Sequence, residues 1–457
     1  MKLSLHQLLI GLLLPNIVLS QVGTDISITL KSAIEITNEN YHSLRARDYE
    51  AQAALKNVDV AKYMRVPTID ATYQANIATA NNITGMFFPY GILPITGPPS
   101  SKNSFTPVTG SAAGILLNWQ AITFGQQEAQ INVSLSEANS KKLNVAQERF
   151  RNTINVISKY LDVALAFDRM HIQEQNIRRV EINLKQSNTL ATTGLRPGVD
   201  TAFFLSELSK AKIEWLNAKR QLENEQWLLA QFMVTDVLLM PTDTLFLDKL
   251  PSFDLTASTS FDHHPYVQYS QSLLDVSRSK EQFLKKNYLP RVNVFGVAFS
   301  RGSGIQADGE IKTFDGLGFT RYNYGAGVQI VFPIMKYGET KRQLLTQNLL
   351  SRAAQETVSQ TSSELLTQQH LANAAYTNSL SIAAETQQQL KSAQYAFNAI
   401  QIRYSTGLVS LSDVVQIQYN LLRAELDVKN AYWNVWKALL LQAAVRGDLG
   451  LFLNEIK

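Results

Sequence analysis

The phrase YSTGLVSLSDVV at 404–415 echoes the phrase TTGLRPGVDTAF at 192–203. The two align without a gap, Gly194 on Gly407, Leu195 on Leu408 and Asp200 on Asp413, at an offset of 407 − 194 = 213. At the same offset WQAITFG (119–125) falls on FPIMKYG (332–338), and Gly114 falls on Gly327. Further upstream RVPTIDATY (65–73) resembles YLPRVNVFG (288–296), with Pro67 on Pro290 at 290 − 67 = 223. The chain is therefore an internal duplication, and whatever it folds into is built from one unit made twice. The first copy carries 223 − 213 = 10 extra residues, in a stretch, GMFFPYGILPITGPPSS, too rich in proline and glycine for regular structure.

Each copy contains a long segment free of both helix breakers. From Gln126 to about Thr193, apolar residues recur at three and four: Leu143, Ala146, Phe150, Ile154, Ile157, Leu161, Ala164. That spacing predicts one helix of about 100 Å, and its partner runs from Glu339 to about Thr406. A shorter helix follows each turn. In the second copy Val414, Ile417, Leu421, Ala424, Val428, Ala431, Val435 and Ala438 hold a coiled-coil seam, matched in the first by Phe204, Leu208, Ala211, Trp215, Ala218 and Leu222. Helices this long must pack side by side.

Before each long helix the period changes to two. Ile69, Ala71, Tyr73, Ala75 and Ile77 alternate with polar residues, as do Tyr322, Tyr324, Ala326, Val328, Ile330 and Phe332; VNVFGVAFS (292–300) and GSAAGILLNWQ (110–120) repeat the pattern less cleanly. A soluble sheet with a core face and a membrane barrel both fit this alternation. A closed membrane barrel needs about eight strands or more, and an open edge cannot sit in hydrocarbon. With four strands per chain, a barrel would have to be shared by two chains, or by three for twelve strands.

Composition narrows the class. A net charge of +4 with 18% charged residues leaves no basic footprint for nucleic acid, and cysteine is absent. Residues 1–20, with Lys2 and then LLIGLLLPNIVLS, read as a secretory signal peptide, and no other apolar run is long enough for a membrane-spanning helix. The organisation expected is a first repeat at 21–233, a linker at 234–263, a second repeat at 264–447 and a tail at 448–457.

These residues resemble the TolC-type outer-membrane efflux proteins over about residues 28–447. Three features carry the likeness: HPYVQYSQSLLDVSRSKEQFLKKNYLPRVNV (264–294), a Pro-led helix running into a strand; the aromatic-Gly pairs Phe124-Gly125 and Tyr337-Gly338, which open the long helices; and the block from Tyr404 to Leu440. The resemblance implies a mainly α protein with a membrane β-barrel: a homotrimer with twelve strands in outer-membrane lipid, a periplasmic tunnel of helical hairpins and a mixed belt that includes 234–263. It implies a transport duct for drugs, ions or polypeptides, working with a periplasmic adaptor (membrane fusion protein) and an inner-membrane RND or ABC transporter, with no enzyme activity and no cofactor. The strand loops at about 80–108 and 301–320 would face the exterior.

The repeated phrases would then be the tips of the hairpins. By resemblance, Asp413 holds the place of a constricting acidic ring. Tyr404 holds that of a tyrosine tied to the other hairpin through Asp200. The turns Gly194, Leu195, Arg196, Pro197, Gly198 and Gly407, Leu408, Val409, Ser410 would dock the adaptor. Val409 stands where relatives carry a base and Gln416 where they carry a second acid, with Arg196 and Arg403 as substitutes. A blander reading competes: Ser410 and Asp413 form a Ser-x-x-Asp capping box, and Asp200 caps its own helix. The neighbours His263 and His264 are expected in a linker rather than at a metal, and phosphate-loop and Ser/His/Asp patterns do not occur. A secreted, trimeric coiled-coil structural or adhesive protein with a barrel anchor stays open as the rival class.

Overall fold

The computed structural model describes residues 26–79, 81–82, 99–194, 197–243, 247–253 and 260–456; the expected signal peptide lies outside them, as does most of the first strand loop. The chain is mainly helical. In order it forms β1 (Ile26–Ile28), α1 (Leu30–Asn40), α2 (His42–Tyr63), β2 (Thr68–Ala78), β3 (Val108–Ile122), α3 (Gln126–Thr192), α4 (Val199–Met233) and β4 (Leu239–Pro241). Then come α5 (Pro265–Leu284), β5 (Arg291–Ser303), β6 (Arg321–Val331), α6 (Lys336–Ser405), α7 (Leu411–Arg446) and α8 (Gly450–Leu453).

The duplication is a property of the fold. The helices α3 and α6 end at equivalent positions (405 − 192 = 213), as do α4 and α7 (446 − 233 = 213). The helices α2 and α5 begin at the larger offset (265 − 42 = 223). The starts of the long helices differ. Phe124 (φ 48) and Gly125 (φ 88) both sit in the left-handed region and break the path from β3 into α3. Tyr337 and Gly338, expected to open α6, lie inside its first turn, because α6 starts three residues early at Lys336 and Gly338 adopts ordinary helical backbone.

Two compact units divide the chain: Ala46–Gln147 with Asp262–Glu364, and Glu148–Phe261 with Leu365–Lys457 and the residues before Ala46. The first holds one antiparallel sheet in the order β2-β3-β5-β6, with β2 and β6 as open edges. Its register aligns Tyr73 with Ala113, Ala113 with Ser300 and Ser300 with Tyr322, so the apolar positions of the strands share a face. That face is bare. Tyr324 is 93% exposed and Tyr322 77%, and Ile69, Tyr73, Ile77, Val328 and Ile330 are also exposed. A soluble sheet would cover this face rather than its opposite, which carries Asp70, Thr72, Gln74, Asn118, Asn293 and Gln329.

On the polar face the duplicated glycine acquires a role. Gly114 lies directly opposite Phe299, and Gly327 directly opposite Phe295. A Cβ at Gly114 would meet the Phe299 Cβ at 3.1 Å, and one at Gly327 would enter the Phe295 ring. Gly327 thus leaves room for the Phe295 ring over the sheet, and Gly114 for the close approach of β5 at Phe299.

The β5–β6 loop folds back on the start of β3. Gly304 N donates to Thr109 O at 2.9 Å, Ser111 Oγ to Gly316 O at 2.6 Å, and Thr109 Oγ1 to Thr313 O. Gly316 approaches so closely that a Cβ there would overlap the backbone carbonyl of Thr109, whereas at Gly318 the nearest atom is the Asp315 carbonyl at 3.8 Å. We expect Gly316→Ala to release the loop, raising the rate of tryptic cleavage after Lys312 in detergent-purified protein by about tenfold or more, since protection tracks local opening. Gly318→Ala should leave the rate unchanged, and equal rates in the two variants would show that the loop is held without this contact.

In the second unit the core lies among α3, α4, α6 and α7. The seam predicted on α7 is buried at Val414, Leu421, Ala424, Val428, Ala431, Val435 and Ala438; on α4, Phe204, Leu208, Ala211 and Leu222 are buried, with Trp215 and Ala218 half-buried. Small residues at alternate seam positions let the axes approach. Buried amides cross this packing. Gln418 of α7 accepts from Asn183 Nδ2 at 2.8 Å and donates to Asn176 Oδ1 at 3.1 Å, both on α3, while Gln401 of α6 donates to Asn183 Oδ1 at 3.2 Å.

Segments outside the repeated helices pack against this core. The strands β1 and β4 pair in parallel, Ser27 opposite Met240. Asp243 clamps them, its Oδ2 accepting from Leu30 N at 3.0 Å and from the Tyr160 hydroxyl at 3.2 Å. Trp436 Nε1 donates to Lys249 O at 3.1 Å, and its ring meets Phe452 of α8 edge-on. Among the described residues no helix is long and apolar enough to cross a membrane.

Candidate functional site

The two interhelical turns are built differently. At the end of α6, Gly407 has φ +79, its N–H donates to Tyr404 O, and Leu408 N donates to Arg403 O at 2.9 Å. This is a Schellman termination, in which glycine supplies the left-handed residue. The apolar contact that usually accompanies it is missing, because the residue facing Leu408 in the motif is Arg403; Leu408 stands 71% exposed. Gly194 repeats the geometry with φ +75, donating to Ala191 O. Leu195 and Arg196 lie outside the described residues.

The capping box foreseen at Ser410 is present in full. Ser410 Oγ accepts from Asp413 N at 3.3 Å, and Asp413 Oδ2 accepts from Ser410 N at 3.0 Å and from Ser410 Oγ at 2.6 Å. Both bonds to the carboxylate go to Oδ2, and the residue is exposed. Capping and presenting a negative charge are compatible here. The hydrogen bonds from the Ser410 side chain, then that from its backbone, hold the Asp413 carboxyl below the usual range, and the nearby Arg403 adds to this.

The other turn departs from expectation. Gly198 occupies the cap position of α4 and has no side chain, so no side-chain hydrogen bond caps this helix; Asp200, in the first turn, does not cap it. The second residue of a helix has helical backbone already, and its carboxylate acts on the helix dipole instead. Pro197 contributes its carbonyl, which accepts from Asp200 N at 3.1 Å.

Tyr404 is buried, 2% exposed, in an apolar cluster with Phe204 and Val414. Its ring meets Phe204 edge-on, centroids 6.3 Å apart at 75°, four residues beyond Asp200. The tips of the two hairpins are thereby joined through packing. Val409 is half-buried against the same cluster and so continues the apolar joint. Gln416 is exposed and donates to Asn420 Oδ1 at 3.3 Å. Phe204 and Val414 were visible in sequence only as seam residues, and the amides Asn176, Asn183, Gln401 and Gln418 gave no signal apart from falling within apolar periodicity. His264, expected in a linker, instead caps α5 at the start of the second repeat: its Nδ1 accepts from Tyr266 N at 3.2 Å.

The sequence matches the outer membrane efflux protein family over residues 33–233 and 248–440. No curated protein matches it. Among solved structures, CusC is similar with a TM-score of 0.74 at 13% identity, covering 93% of each chain. The Campylobacter jejuni outer membrane channel CmeC is similar with a TM-score of 0.71 at 16% identity, covering 92% of this chain and 85% of that one. The open state of the Neisseria gonorrhoeae outer membrane channel MtrE gives 0.69 at 16% identity, covering 92% and 89%.

Proposed function

From the premise that this chain belongs to the outer membrane efflux protein family, channels rather than enzymes, placed in the outer membrane with a periplasmic helical tunnel, we propose that it is a homotrimeric exit duct. It serves a tripartite efflux pump or a type I secretion system, receiving cargo from a periplasmic adaptor and an inner-membrane RND or ABC transporter. Cargo passes without chemistry. In this reading the repeats 21–233 and 264–447 each contribute two strands and one hairpin, 234–263 joins them at the belt, and 1–20 is removed on export.

One observation carries the proposal: a four-stranded sheet whose apolar face is exposed and whose two edges are unpaired. Unpaired backbone groups in hydrocarbon cost several kcal/mol each, on the order of the values for burying an amide without a partner. Three copies close 3 × 4 = 12 strands and remove every edge. The hairpin tips are then the periplasmic gate, with Asp413 as the acidic ring, Tyr404, Asp200 and Arg403 around it, and the turns at 194–198 and 407–410 as the docking surface.

The test combines mass and conductance. Detergent-purified protein should sediment as a trimer and open channels in planar bilayers; a stable monomer would sink the proposal. In Asp413→Asn channels, block by a trivalent hexaammine cation from the tip side should weaken by about tenfold, the loss of one charge-assisted contact per protomer. The depressed carboxyl of Asp413 fixes the pH dependence. Its contribution to the cap is complete above the ordinary aspartate range near pH 4 and is lost as pH falls through the lower folded value, so block should be flat from about pH 5 to 8.

A further inference from the structure

The β5–β6 loop lies on one face of the sheet rather than across its end. Ser111 shares its row with Ala75 and Gly302, and Thr109 stands opposite Ile77, so the side chains of Ser111 and Thr109 leave the sheet on the same face as Tyr73, Tyr322 and Tyr324. That is the bare apolar face. The two hydroxyls donate to the carbonyls of Gly316 and Thr313, which puts the loop over this face at the strand ends remote from the helices. Gly302 agrees, because a Cβ there would overlap the Gly318 carbonyl. Phe319, just before β6, meets Tyr73 of the opposite edge strand β2 with ring centroids 6.4 Å apart at 79°. The loop therefore crosses the full width of the sheet. Beneath it Thr109 is 6% exposed and Ser111 5%, so two hydroxyls that would open onto the apolar face are buried and bonded. What the loop itself exposes is Phe314 at 76%, Leu317 at 50% and Phe319 at 39%. Its charges cancel: between residues 301 and 321, Arg301, Lys312 and Arg321 are balanced by Asp308, Glu310 and Asp315, 3 − 3 = 0. Lys312 is paired with Glu310 at 3.6 Å.

We infer that the β5–β6 loop is a lipid-contact strap, with Phe314, Leu317 and Phe319 seated against the acyl chains of the outer leaflet. The inference rests on the duct reading, which puts the apolar face of the sheet in outer-membrane lipid. The loop continues that face beyond the row of Tyr73 and Tyr322, where membrane barrels carry an aromatic girdle. Acyl chains are the partner rather than charged headgroups. A loop of zero net charge has little field with which to hold an anionic surface, whereas its exposed apolar groups gain by leaving water. Held on the lipid side, the loop leaves the polar face of the strands open to cargo.

Because the chain has no cysteine, one nitroxide label can report on one site. The experiment labels Phe314→Cys and Leu317→Cys singly, in full-length protein reconstituted into phosphatidylcholine vesicles. Collision of the label with oxygen, which concentrates among acyl chains, is compared with its collision with a water-soluble nickel chelate. Asp308→Cys, in the turn of the loop, is the water reference, and Val328→Cys, on the apolar face of β6, is the lipid reference. The oxygen-to-nickel ratio at 314 and 317 should exceed that at 308 by about fivefold or more. A ratio at both sites equal to that at 308, with 328 in lipid, overturns the strap alone. Labels at 314 and 317 that meet neither reagent lie against a neighbouring copy, which also overturns it. Lipid character that appears only when anionic phosphatidylglycerol is added assigns the contact to headgroup charge and overturns the acyl-chain assignment. Water-like collision at 328 itself shows that the apolar face is not in lipid, and the duct reading then falls with the inference.

Discussion

Deleting residues 391–394 from α6 should abolish export while trimers still form. Removing four residues draws the tip of that helix back by about 6 Å and turns it by about 40°. Gln401 would then miss Asn183, and Tyr404 would miss Phe204, because both partners hang from helices that kept their length. The deleted residues are exposed or half-buried, so little of the core is lost with them. Replacing the same four by alanine keeps the length and should keep export. The measurement is efflux of a fluorescent substrate from cells in which this protein is the sole duct, with chemical cross-linking to count subunits. Export retained in the deletion would show that the hairpins do not depend on a common register.

Tyr404→Ala should open the tip. Truncating a buried aromatic costs about 3–5 kcal/mol, and in the homotrimer proposed the loss recurs in each protomer. Basal conductance in planar bilayers should rise several-fold, and Phe204→Ala should rise similarly, with the double variant adding little because the two rings share one contact. Tyr404→Phe isolates the hydroxyl. If its partner is Asp200, as the family likeness implies, Tyr404→Phe should gain a smaller conductance, and adding Asp200→Ala should change little more, a bond to a charged acceptor being worth about 1.5–3 kcal/mol. Additive gains from those two would show that they are not partners. A silent Tyr404→Ala would place the constriction elsewhere.

The strongest sequence signals were those that repeat. Helix ends at 192 and 405 were legible because two copies had to agree, and the strands were legible because apolar residues alternate with polar residues or glycine over eleven residues in β2 and in β6. The capping box was legible because its two side chains are three residues apart. The belt was not. Strands of three residues, as in β1 and β4, are too short to display alternation, and their pairing joins residues 26–28 to 239–241. Gly198 misled for a related reason: a carboxylate two residues on reads as a cap when the true cap position has no side chain. The joint between Tyr404 and Phe204 is a meeting of different helices, and periodicity within one helix reports only that a residue faces inward.

Asn176 and Asn183 are 183 − 176 = 7 residues apart on α3, and the amide of Gln418 engages both. Seven residues are two helical turns, about 10 Å, so the pair acts as a vernier against α7. A slip of one or two residues would carry both asparagines off the glutamine and leave buried amides facing hydrocarbon, which costs about 1–3 kcal/mol for each group. A slip of a whole heptad would bring Asn176 to the place Asn183 left, but only by dragging the tip through every forbidden stop between. Sliding is therefore closed to these helices as a way of widening the pore. In the duct proposed, the vernier leaves α3 and α7 to move as one body at a fixed height, and a tip that opens by swinging such locked pairs keeps the length of the tunnel.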